Sequence, residues 1–307
     1  MSESEQLVWI VMPVLADQEK TTAAIADCLA QSIPTRLLVI NQGVDDPFRA
    51  HLERLAEEYP DRILIWSHQP PLPSLAATWN RALRFVWEAG GSEALVVNND
   101  VRLRPDTVYQ LSSVMGHSDA LFVSAVGVTE ADFAYHPTPD VLLTAPDERG
   151  LGRPMHLGGP DFSCFLISRA CHERFAFDER FIPAFCEDLD YHRRLLLAGE
   201  GARIFSVNVP YLHYASNTLK TLPAAEAAVI RRQIELQSRA YYAMKWGGAV
   251  NAETYWAPFD TTGTAEAATA PRLLFAQHCP EGPTTPALFN HERKIANGQT
   301  PRRPEPL

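Results

Sequence analysis

The chain has 307 residues, 46% of them apolar, and a formal charge of −10 from 27 Lys and Arg against 37 Asp and Glu. That length supports one large or two modest domains with a real core, and the acidic balance gives no overall pull toward nucleic-acid phosphates or anionic membranes. Five cysteines (Cys28, Cys164, Cys171, Cys186, Cys279) form no CxxC pair and leave one over, which argues against a cysteine zinc site or a disulfide framework and for a reducing compartment.

The first apolar run, Leu7 to Ala16, follows the acidic stretch MSESEQ. A signal peptide would carry positive charge there, so the run reads as a first strand. No apolar run reaches the roughly 20 residues that a spanning helix needs, and a soluble, cytoplasmic protein is expected. Strand-like runs at 7–14, 36–43, 62–69 and 94–100 then alternate with helical patterns at 19–31, 46–59 and 75–90. Strands apolar along their whole length, alternating with helices, predict an α/β fold with a mostly parallel sheet flanked by helices. There is no GxGxxG after the first strand and no GxxxxGK[ST] anywhere, which speaks against dinucleotide-type and P-loop sites.

The rhythm then changes. A helix is predicted at 105–115 and a strand at 120–128, followed by a polar, Gly/Pro-rich segment at 129–161. That segment is too long for an ordinary connection and reads as a functional loop. Next come a strand at 162–169, a helix at 187–199, a strand at 202–214, and a long helix at 224–246 stopped by Gly247 and Gly248. Beyond it Pro, Thr and Gly dominate and apolar periodicity is lost.

Three polar clusters fall at junctions between these elements. Asn98, Asn99 and Asp100 end the fourth strand-like run, with Pro105 close behind. Such residues are ordinary turn formers, but in an open α/β sheet the carboxyl ends of the strands face the ligand crevice. Glu187, Asp188 and Asp190 open a helix, either complementing its dipole or placing a general base. His213 ends a strand. It reads either as a satisfied boundary histidine or, with Asp100, as an O,N pair for a divalent cation that leaves positions for diphosphate oxygens.

Taken in order, the residues from about Leu7 to Gly248 resemble a family 2 glycosyltransferase of the GT-A fold, in the branch with rhamnosyl- and galactofuranosyl-transferases. The resemblance is carried by Pro13-Val14-Leu15-Ala16 at the first strand end and Asn41-Gln42-Gly43-Val44-Asp45-Asp46 at the second. Ala77-Thr78-Trp79-Asn80-Arg81-Ala82 follows on a helix, then Asn98-Asn99-Asp100 in place of the DxD motif. Phe177-Asp178-Glu179-Arg180-Phe181, Glu187-Asp188-Leu189-Asp190, His213 and the Tyr241 to Gly247 helix end complete it. Leu15 and Ala16 stand where Tyr and Asn are usual, Asn41 where Asp is, and Arg81 precedes Ala82 where Gly is common.

The resemblance implies an inverting, metal-dependent transfer of a sugar from a UDP-, dTDP- or GDP-linked donor to an acceptor hydroxyl, most simply on a carbohydrate. It implies that Pro13, Val14, Asn41, Asn80, Arg81, Asn98 and Asn99 bind the donor. Asp100 and His213, with Asn98, would hold Mn²⁺ or Mg²⁺, and Asp188 would be the base. Asp161, Glu187 and Asp190 would bind the acceptor, together with the 129–161 loop that carries His136 and His156. The implied organisation is a domain at 1–248, with a nucleotide-sugar half at 1–116, an acceptor half at 117–222 and a C-terminal helix at 223–248, then an extension at 249–307. A homo-oligomer formed through the C-terminal region is compatible with this plan.

Two other readings are compatible with the same residues. One keeps the chemistry but moves the acceptor to a modified nucleobase in DNA, with Arg149, Arg153, Arg302 and Arg303 as a local basic patch, or to a protein. The other is a sugar-nucleotide-binding module without catalysis, or a nucleotidyltransferase. The latter should carry a Gly-rich basic loop after the first strand, where PVLADQEKTT has none.

Overall fold

The structure is a computed structural model, and it describes residues 7–68, 70–135, 153–154, 160–214, 220 and 222–259. His136, Arg149, His156, Arg302, Arg303 and most of the 249–307 extension lie outside the described residues, as does Cys279.

A nine-stranded sheet runs in the order β3-β2-β1-β4-β8-β6-β9-β5, with β7 paired to β9. Its first half is built from β1 (Val8–Val14), β2 (Thr35–Asn41), β3 (Ile63–Ser67) and β4 (Glu93–Val97), all parallel. Every residue of β1 and of β4 is buried, as expected of strands covered on both faces. Alternate β1 side chains serve opposite layers. Val8, Ile10, Met12 and Val14 pack in one apolar cluster, while Trp9 and Val11 pack in the other.

The helices between these strands carry their own start signals. Asp17 caps α1 (Gln18–Leu29), Asp45 caps α2 (Asp46–Glu58) and Ser74 caps α3 (Leu75–Glu88), each side chain accepting a first-turn amide. Ten of the 14 residues of α3 are buried, so it lies deep in the second layer.

The second half of the sheet is mixed rather than parallel. After the two-residue β5 (Val101–Arg102), α4 (Thr107–His117) leads to β6 (Phe122–Val128), followed by α5 (Glu130–Tyr135) and β7 (Arg153–Pro154). β8 (Cys164–Ser168) inserts antiparallel between β4 and β6. Beyond α6 (Arg169–Arg174) and α7 (Glu187–Leu197), β9 (Ile204–His213) runs parallel to β6 and antiparallel to β5 and β7.

The C-terminal helix is continuous but not uniform. It is α-helical over Ala224–Gln233, π-helical over Ile234–Arg239 and α-helical again over Ala240–Trp246. Gly247 ends it in the left-handed conformation, φ 71°, as its glycine signal predicts. Tyr242 and Trp246 pack with Phe181 and Cys186 in a third apolar cluster, which seats this helix against the start of α7. Among the described residues no helix is long and apolar enough to cross a membrane, and Cys28, Cys164, Cys171 and Cys186 are all free and buried.

Candidate functional site

Strand order reverses at β1, which has β2 on one side and β4 on the other. Ligands of open α/β sheets bind outside the carboxyl ends of the strands at such a switch point. A cleft of about 800 Å³ opens there. Pro13, Val14 and Leu15 line it from the end of β1, and Asn98, Asn99 and Asp100 from the end of β4. Asp161 and Ser163 line it before β8, Glu187 and Asp188 at the start of α7, and His213 at the end of β9.

Asp100 and His213 meet in space although 113 positions separate them. The pairing of β5 with β9 sets Val101 opposite His213, and His213 Nε2 lies 3.3 Å from Asp100 Oδ1. The carboxylate is buried and the imidazole partly exposed to the cleft. One oxygen and one nitrogen are a partial donor set, and no group of three His, Cys, Asp or Glu able to hold a metal occurs among the described residues. Such a pair fits Mg²⁺ or Mn²⁺, which use one or two protein ligands and take further oxygens from a bound phosphate.

The α7 end of the cleft is acidic and enclosed. Asp188 is half-buried and its Oδ1 accepts from the Leu189 amide at 2.8 Å. Burial, with the charges of Asp161 and Asp190, pushes its carboxyl above the ordinary range, although backbone amides pull the other way. Burial pushes Glu187 well above that range too, and the neighbouring Asp188 charge adds to it. Glu187 Oε2 has no hydrogen-bond partner.

The turn that delivers these two carboxylates is held under constraint. Phe185 and Cys186, which precede Glu187, both have left-handed backbone, φ 76° and 70°. Non-glycine residues persist there only where surroundings over-determine them. The Ser238 hydroxyl, from the π-helical stretch, is shared between Ile182 O at 3.0 Å and Ala184 O at 2.7 Å, and the Leu75 amide donates to Pro183 O. A π-bulge shifts the register of the helix face by one residue, and Ser238 lies within it.

Four residues expected at the site do other work. Asn41 is buried, its Oδ1 accepting from the Gly43 and Val44 amides and its Nδ2 donating to Ser67 Oγ; it closes the turn after β2, where Gly43 has φ 96°. Asn80 is fully buried. Its Nδ2 donates to Phe177 O and Glu179 Oε1, and its Oδ1 accepts from the Phe177 amide and His172 Nε2, whose Nδ1 accepts from Trp87. It clamps the 177–179 segment to α3. Asp190 is enclosed by Arg194, Lys245 and Trp246. Neither Asn41, Asn80, Asp190 nor the half-buried Arg81 lines the cleft. Asn99 does line it, but its Nδ2 is committed to Ala16 O and Thr21 Oγ1, tying the end of β4 to the start of α1.

Asp161 and Asn98 face the same cleft. Asp161 Oδ1 accepts from the Ser163 amide, and the Asn98 amide donates to Ser163 O, so the two strand ends are braced against one another. Gln42, Trp79 and Phe185 also line the cleft and carried no sequence signal as ligand contacts.

No protein-family model and no curated protein sequence matches the chain. Solved structures do match in shape. A mannosyltransferase from Pyrobaculum calidifontis, in complex with GDP-Man and Mn²⁺, superimposes with a TM-score of 0.53 at 18% identity, over 94% of this chain and 80% of that one. Residues 1–349 of S. aureus TarS give 0.50 at 12% identity, over 78% and 73%, and a mycobacterial protein gives 0.50 at 15%, over 76% and 73%. The fold is of the GT-A type. At these identities the likeness is one of fold, and the chemistry of the GT-A cleft must be argued from its own residues.

Proposed function

We propose that the cleft transfers a sugar from a nucleotide-diphosphate donor to an acceptor hydroxyl with inversion, the chain being a family 2 glycosyltransferase. The observation that carries this reading is the union in one cleft of the Asp100–His213 pair and Asp188, a half-buried carboxyl whose affinity for protons is raised. The TarS and mannosyltransferase folds hold UDP and GDP-Man with Mn²⁺ respectively, and a UDP-, dTDP- or GDP-linked donor is the corresponding ligand here.

The diphosphate lies over the ends of β1 and β4, beside Pro13, Val14 and Asn98. Asp100 and His213 would hold Mn²⁺ or Mg²⁺, with phosphate oxygens completing its shell. When bound, the cation neutralises charge that builds on the departing diphosphate. Asp188 takes the proton of the acceptor hydroxyl. That oxygen bonds to the anomeric carbon as the bond to the diphosphate oxygen breaks, the electron pair leaving with the diphosphate. One displacement from the opposite face inverts the configuration. Asp161, whose charge raises the proton affinity of Asp188, would orient the acceptor, a carbohydrate in this reading.

The test is release of UDP, dTDP or GDP from a panel of their sugars, with Mn²⁺ and with chelator, by wild type and Asp100→Ala. Release from one donor, abolished by chelator and by the substitution, supports the reading. Binding of a donor without turnover under any condition would leave only a binding module.

A further inference from the structure

Three residues lining the cleft carry a buried polar atom with no partner in the protein, Gln42 Nε2, Trp79 Nε1 and Glu187 Oε2, and of these Trp79 and Glu187 are buried as whole side chains. Trp79 is 1% exposed and its Nε1 has no hydrogen-bond partner. Glu187 is 4% exposed and its Oε2 likewise has none. Both residues line the cleft. Buried donors and acceptors without partners are rare enough in native proteins that each calls for an occupant. The chemistry of the occupant follows from the pair. The indole N–H can only donate, and a carboxyl oxygen can accept or, when protonated, its O–H can donate. A hydroxyl group both donates and accepts, and it answers both atoms; a phosphate oxygen answers only the indole.

We propose that Trp79 Nε1 and Glu187 Oε2 form the subsite that reads hydroxyls of the transferred sugar ring. The inference rests on the sugar-transfer reading above. In an in-line displacement the ring lies between the diphosphate, at Asp100 and His213, and the base, at Asp188, which immediately follows Glu187 in the chain. The apolar surroundings suit a ring face. Trp79 packs edge-on against Phe165 and, tilted, on Phe177, and Phe162 and Pro183 line the cleft as well. The raised proton affinity of Glu187 favours its neutral form, which suits recognition of an uncharged ring over catalysis of a charge-building step. Because each position reads a hydroxyl by pairing otherwise orphaned groups, sugars lacking that hydroxyl are discriminated against.

The test is calorimetric titration of wild type, Trp79→Phe and Glu187→Met, in Mn²⁺, with UDP-glucose, UDP-galactose, dTDP-rhamnose and GDP-mannose, and with UDP, dTDP and GDP alone. For the donor that wild type prefers, both variants should bind the nucleotide-sugar about tenfold more weakly, roughly one lost hydrogen-bonded contact, while the bare diphosphate binds as in wild type. Thermal melts of each variant establish that it is folded, and Glu187→Met, which keeps similar length and removes both donor and acceptor, carries the test if Trp79→Phe does not fold. Undiminished sugar binding in the variants would assign the two atoms to ordered water and overturn the subsite alone. Equal loss of sugar and bare diphosphate would mark a structural role and overturn it too. Failure of wild type to bind any of the seven ligands would overturn both this subsite and the transferase reading.

Discussion

Lys245 Nζ lies 2.7 Å from Asp190 Oδ1, joining the last turn of the C-terminal helix to the turn of α7 that carries Asp188. The same ammonium lies 2.7 Å from Asp178 Oδ2, and all three residues are buried. Three separated stretches of sequence, FDERF, EDLD and YYAMKW, therefore meet in one ionic cluster. Removing one member of a buried, hydrogen-bonded set leaves the others uncompensated. Lys245→Met should cost about 3–5 kcal/mol of stability, measured as a shift in the urea midpoint with unchanged slope.

The cluster also sets an acid limit. Burial alone would push the Asp178 carboxyl up, but the Lys245 charge and hydrogen bonds from Arg180, Lys245 and Tyr241 outweigh it and hold it well below the ordinary range. A carboxylate depressed in the folded state contributes stability above its unfolded pKa, about 3.9, and that contribution is lost as pH falls through the folded value. Wild type should lose stability below about pH 4, and Asp178→Asn should be less stable at pH 7 with a flatter dependence between pH 5 and 3, read by urea unfolding at each pH.

Asn80 separates a structural from a ligand-binding role. Four of its hydrogen bonds are to Phe177, Glu179 and His172. Asn80→Ala should destabilise by about 1–3 kcal/mol, because the Phe177 amide and carbonyl lose their partner. Donor affinity should stay within about threefold of wild type, a difference well under 1 kcal/mol. A tenfold loss of donor affinity in a fully folded variant would return Asn80 to the donor site.

Much of this architecture was legible in the chain because local physics wrote it. The apolar runs of β1 and β4 and the Gly247 stop are nearest-neighbour signals, and they sit where the sequence placed them. The insertion of β8 antiparallel between β4 and β6 was not legible, because pairing partners are chosen by the whole sheet. Nor was the π-helical stretch at Ile234–Arg239, whose residues have no composition to mark it. At the site, Asp100, Asp188 and His213 reach the cleft because each ends or begins an element. Asn41, Asn80 and Asp190 carry equally polar side chains, but the backbone and charges around them engage those groups away from the cleft. Sequence shows the residue type and not who gets to it first.

Ser238 holds the strained corner that presents Asp188. Ser238→Ala should lower kcat by about ten- to a hundredfold, as expected when a reacting group is misplaced by a fraction of an ångström or more. Affinity for the bare nucleoside diphosphate, which lies toward the other end of the cleft in the proposed reading, should be unchanged. A wild-type kcat in the variant would show that the left-handed backbone at Phe185 and Cys186 needs no clamp.

Proton affinity at Asp188 fixes the pH profile. As the proposed base, Asp188 must be ionised to accept a proton, and burial and the charge of Asp161 raise its pKa. The acidic limb of kcat/KM should therefore fall above the ordinary carboxylate value of about 3.9. Asp161→Asn, which removes one raising charge, should move that limb downward; an upward or absent shift would detach Asp161 from the base.

The most direct test of the account is Asp188→Asn, an exchange that keeps shape and removes basicity. Donor dissociation constant and turnover would be measured on the same preparation, with the nucleotide-sugar that wild type consumes. The account predicts donor affinity within about threefold of wild type and kcat lower by about 10²- to 10⁴-fold. Turnover retained in that variant would contradict it.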